Sequence, residues 1–131
     1  MRWTKNIQVI INNMIKNKIQ SLTHALRGFK NVWLEEGNFR LITFFAVVAL
    51  VIGYYFDFTL TEFSICAVII TIVMVAEMVN TAIEDLCNKI EPNQDPAIGK
   101  IKDISSGFVF VSSLGALVAG FLVFWIHFMS K

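Results

Sequence analysis

The sequence predicts an all-α membrane protein in which an N-terminal amphipathic interfacial helix precedes three membrane-spanning helices. Of its 131 residues, 56% are hydrophobic and 16% are charged, whereas soluble domains average about 45–50% and about 25%. The apolar residues are concentrated in three long runs, which is typical of membrane spans. A basic amphipathic segment precedes the first run, and residues 1–131 are predicted to form a single domain.

The charge balance argues against a nucleic-acid partner. The chain has a formal net charge of +1, and its sequence has no basic patch interleaved with aromatic residues of the kind that binds nucleic acids. Its two cysteines, Cys66 and Cys87, fall on one predicted helix about 30 Å apart. Because this separation is too great for a disulfide within the chain, both are expected to be small core residues.

Residues 1–35 have the pattern of an amphipathic helix. The apolar positions recur in alternating steps of four and three: Ile15, Ile19, Leu22, Leu26, Phe29 and Trp33. Basic and polar residues occupy the other face, and such a helix before a span usually lies in the membrane interface. The alternative is a soluble helix packed on a partner. Ser21 or Thr23 is predicted to cap a break in the middle of this segment.

Three predicted spans follow, over residues 39–58, 63–90 and 104–128. The first run is close to the length of about 20 apolar residues that crosses a bilayer. The second run becomes polar after Ala76, but it contains no glycine or proline up to Ile90, so its helix is expected to continue. The loop from Glu91 to Pro96 ends it. His127, near the end of the third span, is expected to be interfacial and without a role.

Lysine and arginine counts predict the topology. Seven basic residues, of which Arg40 is the last, precede the uncharged run that begins at Leu41. The 57–62 link has none, and the 88–103 loop has three, namely Lys89, Lys100 and Lys102. The N-terminus and the 88–103 loop are therefore expected to face the cytoplasm. The short acidic link and the C-terminus are expected to face outward.

A polar stripe marks the second span. At about 100° per residue, Glu77, Asn80 and Glu84 fall within an arc of about 60°, with Thr81 beside them. Ionisable groups near a span are costly, and they tend to face a bundle interior or a polar cavity. The alternative is a helix end that has left the membrane, so that its acids are solvated.

Other charged residues are expected at the same membrane level. Glu36 precedes the first span, and Lys102 and Asp103 precede the third. Clustered carboxylates with an amide suit Mg²⁺, and a lysine suits phosphate. This chemistry fits either phosphoryl transfer or a cation site. Neither common glycine-rich nucleotide loop, GxxxxGK[ST] or GxGxxG, is present.

The segment Ala-Glu-Met-Val-Asn-Thr-Ala-Ile-Glu at residues 76–84 resembles the E-x-x-N-[ST]-A-I-E signature of the small prokaryotic diacylglycerol kinases, a family that includes undecaprenol kinases. The Lys102-Asp103 pair and the Glu-Gly-Asn-Phe-Arg segment at residues 36–40 extend the likeness. In all, the resemblance covers roughly residues 22–125.

The resemblance implies a homotrimer with composite active sites between subunits, in the bacterial inner (cytoplasmic) membrane with the sites on the cytoplasmic side. Glu77 would be the catalytic base, Glu36 and Glu84 would hold Mg²⁺ and the ATP phosphates, and Asn80 would orient the cluster. The other nucleotide contacts would be Asn93, Asp95, Lys102 and Asp103. Besides Glu77, the residues bordering the lipid acceptor would be Lys30, Trp33, Asn38, Arg40 and Ser106.

The implied reaction is phosphoryl transfer from ATP to a lipid alcohol. Asn38 matches the relatives that prefer undecaprenol better than those that prefer diacylglycerol. Asp95 stands where many relatives have histidine, which puts the contacts of residues 93–95 in question. Two other classes of function remain: a cation channel or transporter component that uses Glu77 and Glu84, and a membrane adaptor that binds no nucleotide. The spans contain few polar residues for a transport pathway.

Overall fold

The computed structural model describes residues 2–93 and 95–129, apart from the side chains of residues 2–6, 8 and 9. Four helices account for nearly all of this chain: α1 (Arg2–Glu35), α2 (Gly37–Tyr55), α3 (Leu60–Ile90) and α4 (Pro96–Met129). The helices α2, α3 and α4 are long and apolar enough to cross a membrane. The predicted all-α class is therefore confirmed, and three helices have the length and composition that the predicted spans require. Helix α1 forms one compact unit, and the bundle of α2, α3 and α4 forms another.

Helix α1 is continuous from Arg2 to Glu35, so the break predicted near its middle is wrong. The Ser21 hydroxyl donates to the carbonyl of Asn17 at 3.0 Å, and the Thr23 hydroxyl donates to that of Ile19 at 2.9 Å. Hydroxyls on a helix interior can bond the preceding turn in this way. Both hydroxyls therefore have their hydrogen-bond acceptors within α1, and neither side chain caps a helix end.

Helix α2 ends at Tyr55 in a Schellman motif, before the predicted end of the first span. The Phe58 amide donates to the Gly53 carbonyl at 2.9 Å, and the Asp57 amide donates to that of Tyr54 at 3.3 Å. Asp57 has a φ of 58°, a left-handed conformation that usually favours glycine but that aspartate tolerates better than most residues.

Helix α3 begins with a capping box. The Thr59 hydroxyl accepts from the Glu62 amide, and the Glu62 carboxylate accepts from the Thr59 amide at 2.6 Å. From there the helix runs unbroken to Ile90. The prediction that it continues past its carboxylates is confirmed.

Helix α4 begins at Pro96, well before the predicted start of the third span at residue 104. Asp95 caps this helix, since its Oδ1 accepts from the amides of Ala97 at 2.8 Å and Ile98 at 3.0 Å. A proline in the first turn suits this position because its missing N–H would have no helical partner there.

Helix α3 packs against both α2 and α4. Its start meets the end of α4, because His127 Nδ1 lies 3.1 Å from Glu62 Oε1. His127 is 4% exposed, so the bundle encloses it; its expected place at the membrane interface and its lack of a functional role stay predictions. A cluster of rings surrounds this pair: Phe56, Phe58, Phe63, Phe124 and Phe128. These rings, with Glu62 and His127, form what we call the aromatic end of the bundle.

Candidate active site

The opposite end of the bundle gathers the polar residues of the stripe, and we call it the acidic end: Glu36, Asn38, Glu77, Asn80, Glu84 and Ser105. Glu36 is the N-cap residue of α2, and Asn38 lies in the first turn of that helix. The others lie in the second half of α3 and the first third of α4. The sequence pattern places polar groups on α3 here because the apolar run ends at Ala76.

Glu77 is the most enclosed carboxylate of the acidic end, with 2% of its surface exposed. The Asn38 amide donates a hydrogen bond to it, and the carboxylates of Glu36 and Glu84 are close enough to repel its charge. The structure thus brings together three acids that were predicted from the sequence to share one site. Enclosed like charges with so little compensation are costly, and they are more common at functional sites than elsewhere.

A chain of hydrogen bonds connects α4 to the same cluster. The Ser105 hydroxyl donates to Oδ1 of Asn80, and Nδ2 of Asn80 donates to Oε1 of Glu84 at 2.9 Å. Ser105 is 1% exposed. Thr81 is also buried, but its hydroxyl donates to the Glu77 carbonyl of its own helix at 3.1 Å.

The loop between α3 and α4 borders a cavity of about 460 Å³ whose lining includes Asn88, Asn93, Asp95 and Lys102. The Lys102 ammonium donates to Oδ1 of Asn88 at 2.5 Å. Asn93 donates to the Glu91 carboxylate from both its backbone and its side-chain nitrogen, at 2.9 and 3.0 Å. Three of the predicted nucleotide contacts therefore lie together at one cavity, although one oxygen of Asp95 is engaged in capping α4.

The donor set of the acidic end fits a magnesium ion bound together with phosphates. Among residues 2–93 and 95–129, no three histidine, cysteine or acidic side chains are close enough to hold a metal by themselves. Mg²⁺ usually takes only one or two protein carboxylates and completes its shell with water and substrate phosphates. Glu36 and Glu84, which both lie near Glu77, could supply those carboxylates.

The remaining predicted site residues are less enclosed. Arg40, Asp103 and Ser106 are exposed positions of the bundle. Lys30 and Trp33 belong to α1, which is a separate compact unit, and their assignment to a lipid acceptor stays a prediction.

Two residues that contact the predicted site were not among the residues predicted from the sequence. Ser105 donates to Asn80, and Asn88 accepts from Lys102. Ser105 is the neighbour of Ser106, which was predicted to contact the lipid acceptor. Because consecutive helical residues are rotated by about 100°, Ser105 is buried whereas Ser106 is exposed. The period of α4, counted from its apolar positions, was the signal available for Ser105.

Three helices long and apolar enough to cross a membrane, with an enclosed ionisable cluster at one end of their bundle, are typical of a membrane protein. Comparison with known proteins shows its family. The sequence pattern of the family described as "Prokaryotic diacylglycerol kinase" matches residues 23–124, in agreement with the range expected from the motifs. The chain therefore belongs to the prokaryotic diacylglycerol kinase family, a family of lipid kinases.

The similar proteins are named either diacylglycerol kinase or undecaprenol kinase. A "Diacylglycerol kinase" of Escherichia coli (strain K12) is 24% identical over 110 residues, which cover 84% of this chain and 90% of the relative. An "Undecaprenol kinase" of Bacillus subtilis (strain 168) is 28% identical over 112 residues, covering 86% and 91%. A "Diacylglycerol kinase" of Haemophilus influenzae is 27% identical over 108 residues, covering 81% and 92%.

Proposed function

We propose that this protein is an ATP- and Mg²⁺-dependent kinase that transfers the γ-phosphate to the hydroxyl of a membrane lipid alcohol. The acceptor is undecaprenol or diacylglycerol, and the product is undecaprenyl phosphate or phosphatidic acid. The observation that carries the proposal is the acidic end itself. There Glu77 is enclosed, hydrogen-bonded by Asn38, and flanked by two further carboxylates.

Glu77 is the proposed general base. A base must lie within hydrogen-bonding reach of the proton that it removes, and the lipid hydroxyl would reach Glu77 beside Asn38. The Asn38 amide lies close enough to donate to this carboxylate and would help to orient it toward the hydroxyl. Positioning of this kind, rather than covalent chemistry by the protein, accounts for most catalysis of phosphoryl transfer.

Glu36 and Glu84 are the proposed ligands of Mg²⁺ and the nucleotide phosphates. When bound, the ion would offset the charge of the transferred phosphoryl group. Asn80 orients Glu84 through the hydrogen bond at 2.9 Å. Lys102 would contact the nucleotide from the loop cavity, with Asn93, Asp95 and Asp103 as further contacts, and its ammonium suits a phosphate as a point charge.

The choice of acceptor rests on the first turn of α2. Asn38 matches the relatives that prefer undecaprenol, and its hydrogen bond to Glu77 supports a place beside the reacting hydroxyl. We therefore favour undecaprenol over diacylglycerol. Lys30, Trp33, Arg40 and Ser106 are the other proposed acceptor contacts.

Membership of a kinase family favours the enzyme over a channel component or an adaptor. The proposed location is the bacterial inner membrane, with α1 lying in the interface. The basic residues before α2 and in the α3–α4 loop support an acidic end that faces the cytoplasm.

Radiolabelled ATP tests the proposal directly. Purified protein in mixed micelles is incubated with [γ-³²P]ATP, Mg²⁺ and either undecaprenol, diacylglycerol or a lipid lacking a hydroxyl. We expect label in the extracted lipid phosphate with the two alcohols, more with undecaprenol, and none with the third lipid. Absence of labelled lipid with either alcohol contradicts the proposal.

We also propose a homotrimer. Enclosure of the polar stripe does not support it, because Glu77 is already only 2% exposed within a single chain. Two other observations do: most large apolar side chains of the spans are exposed, and added methyl groups at Gly107 and Gly115 of α4 would meet no atom within 4 Å. Small residues of this kind let helices of different subunits approach closely.

Mixed assembly tests whether the sites are shared. Subunits carrying Glu77→Gln are co-assembled with subunits carrying Lys102→Ala, and activity is measured against each mutant alone. If neighbours supply these residues to one site, part of the activity returns. Glu36→Gln with Glu77→Gln is the control, since these residues act on each other within one chain and mixing should restore nothing. No return with Glu77→Gln and Lys102→Ala would contradict sharing of this pair.

A further inference from the structure

Ser105 connects α4 to the carboxylate cluster through side chains alone. It is 1% exposed, and its hydroxyl donates to Oδ1 of Asn80 on α3. The other end of the same amide donates to Oε1 of Glu84 at 2.9 Å. One continuous hydrogen-bonded chain therefore runs from α4 to Glu84.

This chain fixes the orientation of the Asn80 amide. An ionised carboxylate can only accept hydrogen bonds, so the nitrogen of the amide must face Glu84 and its oxygen must face Ser105. A serine hydroxyl can donate to that oxygen. An alanine at position 105 would leave Oδ1 without this donor, and the amide could then turn away from Glu84.

Several hydroxyls within the helices of the bundle behave differently. Ser112, on the same helix, donates to the carbonyl of Val109 at 3.0 Å. Thr71 and Thr81 of α3 likewise donate to carbonyls of their own helix. Such bonds satisfy the hydroxyl locally and position no other side chain. Ser105 instead crosses to a neighbouring helix and ends on an acid of the cluster.

We propose that Ser105 is a positioning residue, which holds Asn80 in the orientation that presents Glu84 to the metal–nucleotide complex. This inference rests on the proposed role of Glu84 and adds to it a residue of α4 that touches neither substrate. The partners of metal ligands commonly matter this way, because they fix the direction of the ligand's lone pairs.

The test measures metal binding without turnover. Mn²⁺, which like Mg²⁺ prefers oxygen ligands, is titrated by electron paramagnetic resonance into intact protein with a non-hydrolysable ATP analogue. The variants are Ser105→Ala, Asn80→Ala, their combination, and Ser112→Ala as the matched control. Thermal unfolding of each variant is recorded in the same detergent.

We expect Ser105→Ala to weaken Mn²⁺ binding about 10–100-fold, which is the usual effect of losing a partner of a metal ligand. Ser112→Ala should bind like the wild type. Adding Ser105→Ala to Asn80→Ala should change nothing further, because residues that act through one another are not additive. Should Ser105→Ala not fold, Ser105→Cys keeps nearly the same size with a much weaker donor, and it should also weaken binding.

A role in helix packing alone predicts a lower unfolding temperature with unchanged Mn²⁺ affinity, and that result would overturn the inference. Equal weakening in Ser112→Ala, full additivity with Asn80→Ala, or no Mn²⁺ binding by the wild type would overturn it as well. Label transfer by the wild type is measured on the same preparation. Ser105-dependent Mn²⁺ binding without labelled lipid would count against the proposed kinase reaction and leave the positioning of Glu84 standing.

Discussion

At the aromatic end of the bundle the ionisable side chains satisfy one another, whereas at the acidic end they crowd together. Glu62 accepts hydrogen bonds from the Thr59 amide and hydroxyl at 2.6 and 2.8 Å, and it pairs with His127 at 3.1 Å. Glu77 has the Asn38 amide as a hydrogen-bond donor but two carboxylates as neighbours. Both glutamates lie on α3, so the helix itself does not account for the difference.

The difference separates a structural use of charge from a chemical one. A carboxylate surrounded by donors is already stabilised and contributes to the fold. Carboxylates that face one another gain from a bound cation, and they are poised to hold a metal ion or to accept a proton. Substitutions at the two ends should therefore have different consequences: loss of turnover or metal affinity at the acidic end, and loss of stability at the aromatic end.

Glu77→Gln should lower kcat by about 10²–10⁴-fold, the usual loss when a well-placed general base is removed. Binding of a non-hydrolysable ATP analogue should change little. Glu62→Gln, the matched change at the aromatic end of the same helix, should leave kcat of the folded enzyme close to that of the wild type. Near-normal kcat in Glu77→Gln would remove the base assignment.

Glu36→Gln and Glu84→Gln should each raise the Mg²⁺ concentration needed for half-maximal activity by about tenfold or more. Because the two residues are proposed to share one ion, the double variant should depart from additivity by about 0.5–3 kcal/mol. Titration of Mg²⁺ at saturating ATP measures both effects. Simple additivity would mean that they do not hold a common metal.

At the aromatic end, the Glu62–His127 pair should contribute to stability. Glu62→Gln and His127→Gln are combined in a double-mutant cycle, and unfolding is followed in detergent. We expect a coupling free energy of about 1 kcal/mol, with little effect on the Mg²⁺ requirement. A coupling free energy of zero would indicate that the contact at 3.1 Å carries no stability.

Gly53→Ala should destabilise the aromatic end by about 1–3 kcal/mol through overpacking. A Cβ at this position would lie 3.0 Å from a Phe58 ring atom and 3.2 Å from one of Phe63. Gly28→Ala in α1 is the control, because its Cβ would meet no atom within 4 Å and both changes gain helix propensity equally. Equal free energies of unfolding of the two variants would show that the Phe58 and Phe63 rings move aside without destabilising the fold.

The sequence was sufficient to predict the parts of the fold that depend on local pattern. Apolar runs, missing helix breakers and the helical period predicted three helices long and apolar enough to cross a membrane, the unbroken course of α3 and the nearness of Glu36 and Glu84 to Glu77. The start of α4 was missed because Asp95 and Pro96 read equally well as a loop or as a cap followed by a first turn. The end of α2 was missed because Asp57 takes the position where glycine would be the usual signal.

The helical period of the sequence could not predict contacts between residues that are far apart in the chain. The Glu62–His127 pair joins residues far apart in the sequence, and the Ser105–Asn80 bond depends on how α4 rotates against α3. Neither the register nor the rotation of packed helices is encoded in a single short segment. The family motifs identified Asn80 and Glu84, but the side chain that holds them in place becomes visible only in the packed bundle.

We propose that the nucleotide reacts at the acidic end and that the aromatic end stabilises the fold. A direct test is photolabelling with an ATP analogue that carries a photoreactive base. The labelled peptides are identified by digestion and mass spectrometry. We predict adducts within residues 88–103, competed by unlabelled Mg²⁺·ATP, and none within residues 56–63 or 121–129. Competed adducts at the aromatic end, or labelling spread evenly over both ends, would contradict it.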